Sequence, residues 1–306
     1  MEVPITQSEV WQDLEKDLGE KTVFEKQDGY QFLAIIKKTK AGNYLFVPYG
    51  PLAEDQKSFK KALAALKTLA KAHKAIFTRI EPRTPEMAQF LPKTAKKIHD
   101  IDPKDTWVLD LTPERTTLIS NFSQGTRTRY NNYTKKGITV TTTKDPNEIK
   151  HLVRLQNKLY RKKGLHAFSE KYLKTELAQP FATLYLVHYE DKIIAASLFF
   201  NHEGTRYYMQ SAADQDYKKL PATVALLTTA LFDAKDQGIK FFDFWGIAPD
   251  DAPKDHPWQG FTEFKKSFGG EARHYAGTYD IIENPLKYRL FIAAQKLSKL
   301  AKVTKS

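Results

Sequence analysis

The order of apolar and polar residues predicts one helix and three strands at the start of the chain. Apolar side chains recur at helical spacing at Val10, Trp11, Leu14 and Leu18. Three segments rich in β-branched and aromatic residues follow as predicted strands: 22–24, 30–37 and 44–47. Turns are expected between them at Asp28-Gly29 and Gly42-Asn43. The pattern is typical of a helix followed by a small β-meander.

The pattern then predicts a long helix and a buried strand, and the same order occurs twice. Apolar residues recur at helical spacing from Phe59 to Leu69, and the mainly apolar run 75–80 ends at Glu81-Pro82. A second series begins with a strand at 106–111. It continues through basic helical segments to three strands, a helix and a strand, at 182–188, 192–201, 205–211, 223–235 and 240–245. We therefore predict two similar α/β domains of the acyltransferase-like GNAT kind.

The last segment, 285–302, predicts a basic amphipathic helix that begins at Pro285. Its side with Leu286, Leu290 and Leu297 is expected to pack on a domain. The same pattern fits contact with the inner face of a membrane. The sequence leaves both arrangements open.

Composition adds a preference for polyanionic partners. The chain has 306 residues, and 48 Lys and Arg against 36 Asp and Glu give a formal net charge of +12. It contains no cysteine, which excludes disulfides, thiolate metal sites and a cysteine nucleophile. Acidic residues in the first twenty positions argue against a signal peptide, and no apolar run reaches the length of a membrane span. We therefore expect a cytoplasmic protein.

Residue spacing excludes several standard catalytic and metal sites. The eight histidines occur singly, so no metal site is predicted, and no cofactor is expected. No nucleophile elbow, Walker loop or dinucleotide-binding glycine pattern occurs. The pair Gly269-Gly270 by itself indicates only a turn.

One stretch near the C-terminus resembles a known family. Residues 260–271 read Gly-Phe-Thr-Glu-Phe-Lys-Lys-Ser-Phe-Gly-Gly-Glu. This closely resembles the G-x-x-x-F-K-x-x-F-G-G-E signature of the Fem group of non-ribosomal peptidyltransferases. Three other stretches follow the order of Fem landmarks and extend the resemblance over nearly the whole chain: 49–51, 106–111 and 241–247.

The resemblance implies a fold and an activity. The implied fold is α/β, with two tandem GNAT-like domains and no helical hairpin arm, divided as 1–104 plus 282–306 and 105–281. The implied activity moves Gly, Ala or Ser from aminoacyl-tRNA to an amine of the stem peptide of a peptidoglycan precursor. The precursor is nucleotide-linked or lipid-linked. The amino acid, the acceptor position and the oligomeric state do not follow from the sequence.

The resemblance implies a catalytic role for Lys265, and it places Phe264 in the substrate wall. Attack of an amine on the ester carbonyl develops negative charge on the carbonyl oxygen, which a fixed cation stabilises. A lysine is a poor base unless burial lowers its pKa, so stabilisation is expected rather than proton abstraction. The alternative is that Lys265 and Lys266 are ordinary solvated lysines of a helix.

Four further residues are candidates for substrate binding. Tyr172 matches a family tyrosine that contacts the precursor, and half-buried packing is its alternative. Glu81 occupies the place of a family acidic residue that could orient an amine. Its slightly favoured alternative is a strand-end carboxylate in solvent. Tyr208 and Gln210, on the predicted strand 205–211, complete the set.

Basic residues suited to RNA phosphates are Arg127, Arg129, Lys135, Lys136 and Arg161. A solvated helical face explains the 127–136 group equally well. A family arginine that pairs with precursor phosphates would fall near 166–168, where this sequence has none. This departure allows a lipid-linked precursor, or phosphate contacts from elsewhere, such as Arg161, Lys162 or Lys163.

Two other functions compete with aminoacyl transfer. An acyl-CoA-dependent N-acyltransferase would share the architecture, but its usual pyrophosphate cradle is a glycine-rich turn before the long helix. Neither 56–60 nor 217–223 contains a glycine. A non-catalytic RNA-binding or envelope scaffold protein would account for the charge and not for the stretch around Phe264-Lys265.

Overall fold

The chain folds into two compact units. The structure is a computed structural model that describes residues 2–163 and 167–303, with side chains described up to residue 161 and again from 167 to 297. The first unit comprises 1–104 and 274–306, and the second comprises 105–273. This division differs from the expected boundary at 281, because the strand at 279–282 pairs with strands of the first unit.

Helices and strands are mixed along both units. Up to residue 104 they are α1 (Glu9–Asp17), β1 (Lys21–Gln27), β2 (Tyr30–Thr39), β3 (Gly42–Val47), β4 (Leu52–Ala53), α2 (Gln56–Ala72), β5 (Ala75–Ile80), α3 (Pro85–Ala88) and β6 (Ala95–Lys97). The second unit has β7 (Asp105–Asp110), α4 (Arg115–Asn121), α5 (Gln124–Asn132), β8 (Ile138–Thr143), α6 (Lys150–Lys163), α7 (Glu170–Leu177), β9 (Ala182–Tyr189), β10 (Lys192–His202), β11 (Thr205–Ala213), α8 (Ala222–Asp236), β12 (Phe241–Gly246), α9 (Gln259–Lys266) and β13 (Glu271–His274). The chain ends with β14 (Tyr279–Ile282) and α10 (Pro285–Val303).

The first unit contains a seven-stranded sheet. Its strand order is β1-β2-β3-β5-β14-β6, with β4 paired to β2. The helix, the meander, the long helix and the strand predicted for this unit are confirmed. The predicted Gly42-Asn43 turn is wrong by two residues: the turn is Lys40-Ala41, and Gly42 already pairs with Thr39 as the first residue of β3. At Gly42 φ is 125° and a Cβ would collide with the Ile76 side chain, so the glycine serves a strand and not a turn.

The second unit contains another seven-stranded sheet, in the order β13-β7-β12-β11-β10-β9-β8. Strands β9, β10 and β11 form the predicted antiparallel meander, and α8 then leads to β12, which runs parallel to β11. The helix α8 is apolar on nearly all sides and packs in the core of this unit. The first unit repeats the order, since α2 joins the parallel strands β3 and β5. The fold is therefore two tandem GNAT-like units, as predicted.

Helix α10 packs through a different face from the one predicted. Tyr288 and Phe291 are buried against Phe77 on the first sheet, with ring centroids 5.3 and 5.0 Å from that of Phe77. The side with Leu286, Leu290 and Leu297 is exposed, so the prediction that it packs on a domain was wrong. The aromatic residues take the buried face because their larger rings fill the space beside Phe77.

A buried ion pair joins β5, β14 and α10. The Arg79 guanidinium donates two hydrogen bonds to the Asp280 carboxylate, at 2.8 and 2.9 Å, and the Tyr288 hydroxyl donates a third at 2.9 Å. Asp280 is fully buried, and the guanidinium also lies over the rings of Tyr44 and Phe77. Removing one partner of such a pair leaves an uncompensated charge in the core.

Asp280→Ala is expected to lower the free energy of unfolding by about 3–5 kcal/mol, because it leaves the Arg79 guanidinium buried without a counter-ion. The control is Asp236→Ala, which removes the partner of Arg115 in a pair that is about half exposed on both sides. That loss should stay below about 1 kcal/mol. Urea denaturation measures both variants, and equal losses would contradict the assignment of Asp280 as the anchor.

Candidate functional site

The strands β11 and β12 separate from each other at the centre of the second sheet. They pair in parallel only over Thr205–Tyr207 and Phe241–Asp243. Beyond these residues β11 continues beside β10 to Ala213, whereas β12 stays paired with β7 through a bulge between Asp243 and Gly246. Trp245 takes a left-handed conformation at the bulge, with φ of 64°. The gap opens at the carboxyl ends of two parallel strands, which is where open α/β sheets bind their ligands.

Asp243 is a buried acid at the point where the strands separate. Only 2% of its surface is exposed. Its carboxylate accepts hydrogen bonds from the Trp245 backbone N–H at 2.8 Å and from the Thr106 hydroxyl at 3.4 Å. Burial raises its pKa to about 6, against the lowering effects of the Trp245 hydrogen bond and of Arg273 and Lys265.

Lys265 lies in α9 with its side chain turned inward. Its Nζ donates a hydrogen bond to the Gly246 carbonyl, at the end of β12. Burial lowers its pKa from 10.5 to about 8, and the negative charge of Asp243 opposes that fall. The alternative of an ordinary solvated lysine does not describe this side chain. Lys266 differs, since its Nζ lies 5.4 Å from the Trp107 ring centroid.

Asp243 and Lys265 attract each other electrostatically, and burial brings both of their pKa values toward neutral pH. With pKa values of about 6 and about 8, the Asp243 carboxyl is mostly ionised at pH 7 and the Lys265 amine is mostly protonated. At pH 7 each group is therefore about one pH unit from its own pKa. Lys265 can therefore offer a partly desolvated positive charge or accept and return a proton, which an exposed lysine does poorly at this pH.

The stretch 260–271, which resembles the Fem signature, builds this part of the second unit. The residues 259–266 form α9, and Gly269 and Gly270 then turn the chain into β13 with φ of 81° and 100°. A Cβ on Gly270 would collide with the backbone carbonyl of Val108 in β7, so the close approach of the chain requires glycine. Trp107 in β7 donates a hydrogen bond to the Gly269 carbonyl at 2.7 Å. These contacts hold the end of α9 against β7, and they thereby position Lys265.

A basic pocket of about 500 Å³ lies at the N-terminal end of α8. Four cationic residues line it, namely Arg129, Lys136, Lys218 and Lys219. Phe264, the neighbour of Lys265, also lines it, and its ring packs on Phe268 at 5.3 Å. No side chain caps the start of α8, whose first turn contributes Thr223 and Val224 to the lining. Free N–H groups, a positive helix end and four cations are together suited to phosphate.

The pocket gathers only part of the predicted basic set. Arg129 and Lys136 line it, and Lys135 and Arg161 are exposed residues outside the lining. Arg127 donates hydrogen bonds to the carbonyls of Ser120 and Phe122 and so holds the end of α4. Within the segment 166–168, His166 lies outside the described residues.

The predicted substrate residues of the second unit lie on two elements. Tyr208 and Gln210 are half-buried on the part of β11 that has left β12. The Tyr208 hydroxyl donates to Ser211 at 2.7 Å, and burial raises the pKa of Tyr208 to about 12. Tyr172 lies on α7, where its ring stacks on Phe168 at 5.1 Å. It is not among the residues that line the basic pocket.

Glu81 is buried in the first unit. It follows β5 with 2% of its surface exposed, so the expectation of a solvent-exposed carboxylate was wrong. It accepts hydrogen bonds from the backbone N–H groups of Tyr49 and Asp102 and from the Thr278 hydroxyl, the last at 2.7 Å. Burial and the neighbouring Glu81 carboxylate raise the pKa of Asp102 well above its usual range.

The sequence analysis missed three residues of the site. Asp243 stands alone in an aromatic strand segment, and a single acid among buried positions was a usable signal. Lys218 and Lys219 lie just before Pro221 and α8, in the turn that was judged only for its glycines. Among the described residues no group of acidic or histidine side chains could hold a metal ion. Nor is any helix in that part of the chain long and apolar enough to span a bilayer.

Comparisons with known proteins give one family match and several structures of similar fold. The model of the FemAB family matches residues 181–296, which include Asp243, Lys265, Lys218 and Lys219. A search of curated protein sequences gave no significant match. Among solved structures, FemX is similar with a TM-score of 0.81 and 17% identity, and the match covers 94% of both chains.

Two further structures share the fold. L-PGS from Bacillus licheniformis superposes with a TM-score of 0.61 and 14% identity, over 98% of this chain and 99% of that one. A tandem GNAT protein from the clavulanic acid biosynthesis pathway gives 0.52 and 12%, over 84% and 80%. The FemAB model thus matches residues 181–296, and the fold of FemX extends along nearly the whole length of the chain.

Proposed function

We propose that this protein transfers an amino acid, Gly, Ala or Ser, from aminoacyl-tRNA to an amine of the stem peptide of a peptidoglycan precursor. The match of residues 181–296 to the FemAB family model and the likeness of the fold to FemX support an aminoacyl- or acyltransferase in general. The observation that carries the proposal is Lys265, a partly desolvated cation whose neighbour Phe264 lines a basic pocket. The substrates themselves are inferred from the family.

The proposed chemistry needs a fixed positive charge at the reacting carbonyl. The acceptor nitrogen attacks the ester carbon, a C–N bond forms, and the carbonyl oxygen becomes negative. The Lys265 ammonium stabilises this oxyanion more strongly than an exposed cation would, because its surroundings are poor in water. Collapse breaks the bond to the ribose oxygen, which leaves as a hydroxyl after taking up a proton, and the new amide nitrogen loses one.

We assign the basic pocket to the phosphates at the 3′ end of the tRNA. The N-terminal end of α8 and the four cations can neutralise two or three phosphates. Phe264 offers an aromatic surface on which a terminal base can stack. In this proposal the ester linked to that end reaches past Phe264 to the Lys265 amine, which lies on the same helix, α9.

The pocket also supports a second candidate, an acyl-CoA-dependent N-acyltransferase. The missing glycines at 217–223 argued against a pyrophosphate cradle, but Lys218 and Lys219 supply charge at the same turn. A pyrophosphate would fit the site as well as RNA phosphates do. Purified protein given labelled aminoacyl-tRNA or labelled acyl-CoA, with either nucleotide-linked or lipid-linked precursor, separates the two functions. Transfer from acyl-CoA alone would overturn the proposal.

Lys265→Ala is expected to reduce kcat/KM for transfer by at least about 100-fold, as loss of one oxyanion donor does in other enzymes. The wild-type rate should fall as pH rises through about 8, because the ammonium is lost there. Lys265→Arg, which stays charged, should lack this descending limb even if its rate is low. A rate that rises through pH 8 in the wild type and not in Lys265→Arg would indicate that Lys265 acts as a base instead.

Lys265→Met is expected to stabilise the fold while it removes activity. A pKa that falls from 10.5 to about 8 on folding means that the folded protein disfavours the charged form. The cost of about 3 kcal/mol applies below pH 8 and declines as pH rises toward 10.5. Allowing for the lost hydrogen bond to Gly246, the variant should gain about 1–2 kcal/mol at pH 7 and less at pH 9.5. Urea denaturation at both pH values measures it.

Lys266→Met is the matched control for this experiment, since it changes the adjacent lysine, whose Nζ lies over the Trp107 ring. It should not stabilise the protein and should leave transfer close to that of the wild type. If Lys265→Met is no more stable than Lys266→Met at pH 7, burial of the Lys265 ammonium does not carry the cost assigned to it.

The double variant Lys218→Gln/Lys219→Gln is expected to raise KM for aminoacyl-tRNA about tenfold or more at 0.1 M salt, with a smaller effect on kcat. The salt dependence of binding should become shallower by nearly two charges. The double variant Lys135→Gln/Arg161→Gln removes the same charge outside the pocket. If it weakens tRNA binding as much, net charge and not the pocket is responsible.

A further inference from the structure

Helix α10 displays a row of leucines to solvent. Leu286, Leu290 and Leu297 are 71%, 64% and 68% exposed, and no other large apolar side chain in the described residues is as exposed as these three. The remaining exposed ones lie on other segments and reach 51% at most, at Phe261. Single exposed apolar residues are ordinary, whereas a row of them marks a binding surface.

The three leucines share one side of the helix. At about 100° per residue, positions 286, 290 and 297 lie within about 40° of one another. Tyr288 and Phe291, which pack on the first sheet, point to the opposite side. The helix is therefore held by one face, so the leucine row cannot turn inward without breaking the contacts of the Arg79, Asp280 and Tyr288 cluster.

Cations border the leucine row on both sides. Lys287 lies on one flank and Arg289 and Lys296 on the other, and all three are exposed. The described side chains of the helix include no acidic residue. An apolar stripe between two basic borders is the arrangement of helices that lie in the interface of an anionic bilayer, with the leucines in the acyl region and the cations at the phosphates.

We propose that α10 binds the surface of an anionic phospholipid bilayer and lies parallel to it. Charge favours this occupant over a second copy of the chain, because two copies would bring together two basic helices of proteins with a formal charge of +12 each. The helix is about 28 Å long and does not qualify as a membrane span, so it rests on the surface. This site is independent of the proposed aminoacyl transfer.

Vesicle flotation tests the proposal. The wild type should float with vesicles of equal parts phosphatidylglycerol and phosphatidylcholine, bind pure phosphatidylcholine at least about tenfold less, and be released by high salt. Leu286→Gln/Leu290→Gln should reduce binding to the anionic vesicles about tenfold or more. Because these side chains are exposed, the thermal unfolding midpoint should not fall.

Matched variants separate the surface from general effects. Trp258→Gln removes an exposed apolar side chain elsewhere, and Lys57→Gln/Lys61→Gln removes two charges from α2, on the other face of the first sheet. Neither should weaken binding as much as Leu286→Gln/Leu290→Gln or Lys287→Gln/Arg289→Gln does. Since the chain has no cysteine, Leu290→Cys can carry a single environment-sensitive fluorophore, whose emission should shift to the blue with anionic vesicles.

Three results would overturn the proposal. One is unchanged flotation of the leucine variant. Another is equal binding to anionic and neutral vesicles. The third is a wild-type dimer in solution that the leucine substitutions dissociate, which would assign the face to a second copy. None of these readouts measures aminoacyl transfer, so a failure here leaves the proposed function standing.

Discussion

The candidate site depends on the separation of two parallel strands. After three residue pairs β12 no longer pairs with β11 and follows β7 through a bulge between Asp243 and Gly246. Asp243 lies buried at this fork, and the Gly246 carbonyl accepts a hydrogen bond from the Lys265 amine. A regular sheet would have consumed these backbone groups in its own hydrogen bonds. The strain of a left-handed Trp245 is stored at the fork, as is common at functional sites.

Burial then sets the chemistry of the two ionisable groups at the fork. Desolvation disfavours both charges, so it pushes the pKa of the acid up and that of the amine down, and their mutual attraction limits both shifts. The result is a Lys265 ammonium whose pKa lies close to neutral pH. Burying this charge lowers the stability of the fold. The basic pocket works by a different rule, because its lysines and arginine remain near water and act through their summed charge. One part of the site is suited to the reacting atoms and the other to a polyanion.

The spacing of apolar residues predicted most of the elements. It failed where contacts between residues distant in sequence determine the structure. The meanders, α2, α8 and the order of the two units follow from local patterns. The Gly42 turn was misplaced because the glycine is required by Ile76, thirty-four residues away. The leucine face of α10 was misassigned because the sheet offers an aromatic surface that suits Tyr288 and Phe291. Lys265 came from a resemblance, while Asp243 and Lys218 needed the strand pairing and the pocket to be seen.

The first unit is interrupted in sequence, and this affects how the protein is made. Strand β14 lies between β5 and β6, yet it is translated about 180 residues after β6, whereas the second unit is one continuous segment. During synthesis the second unit can therefore fold completely before β14 of the first unit has been translated. N-terminal units usually fold first, but here the second unit can be completed before the first. Until then the edges of β5 and β6 remain open to other strands, which makes a nascent or shortened chain a natural client for chaperones.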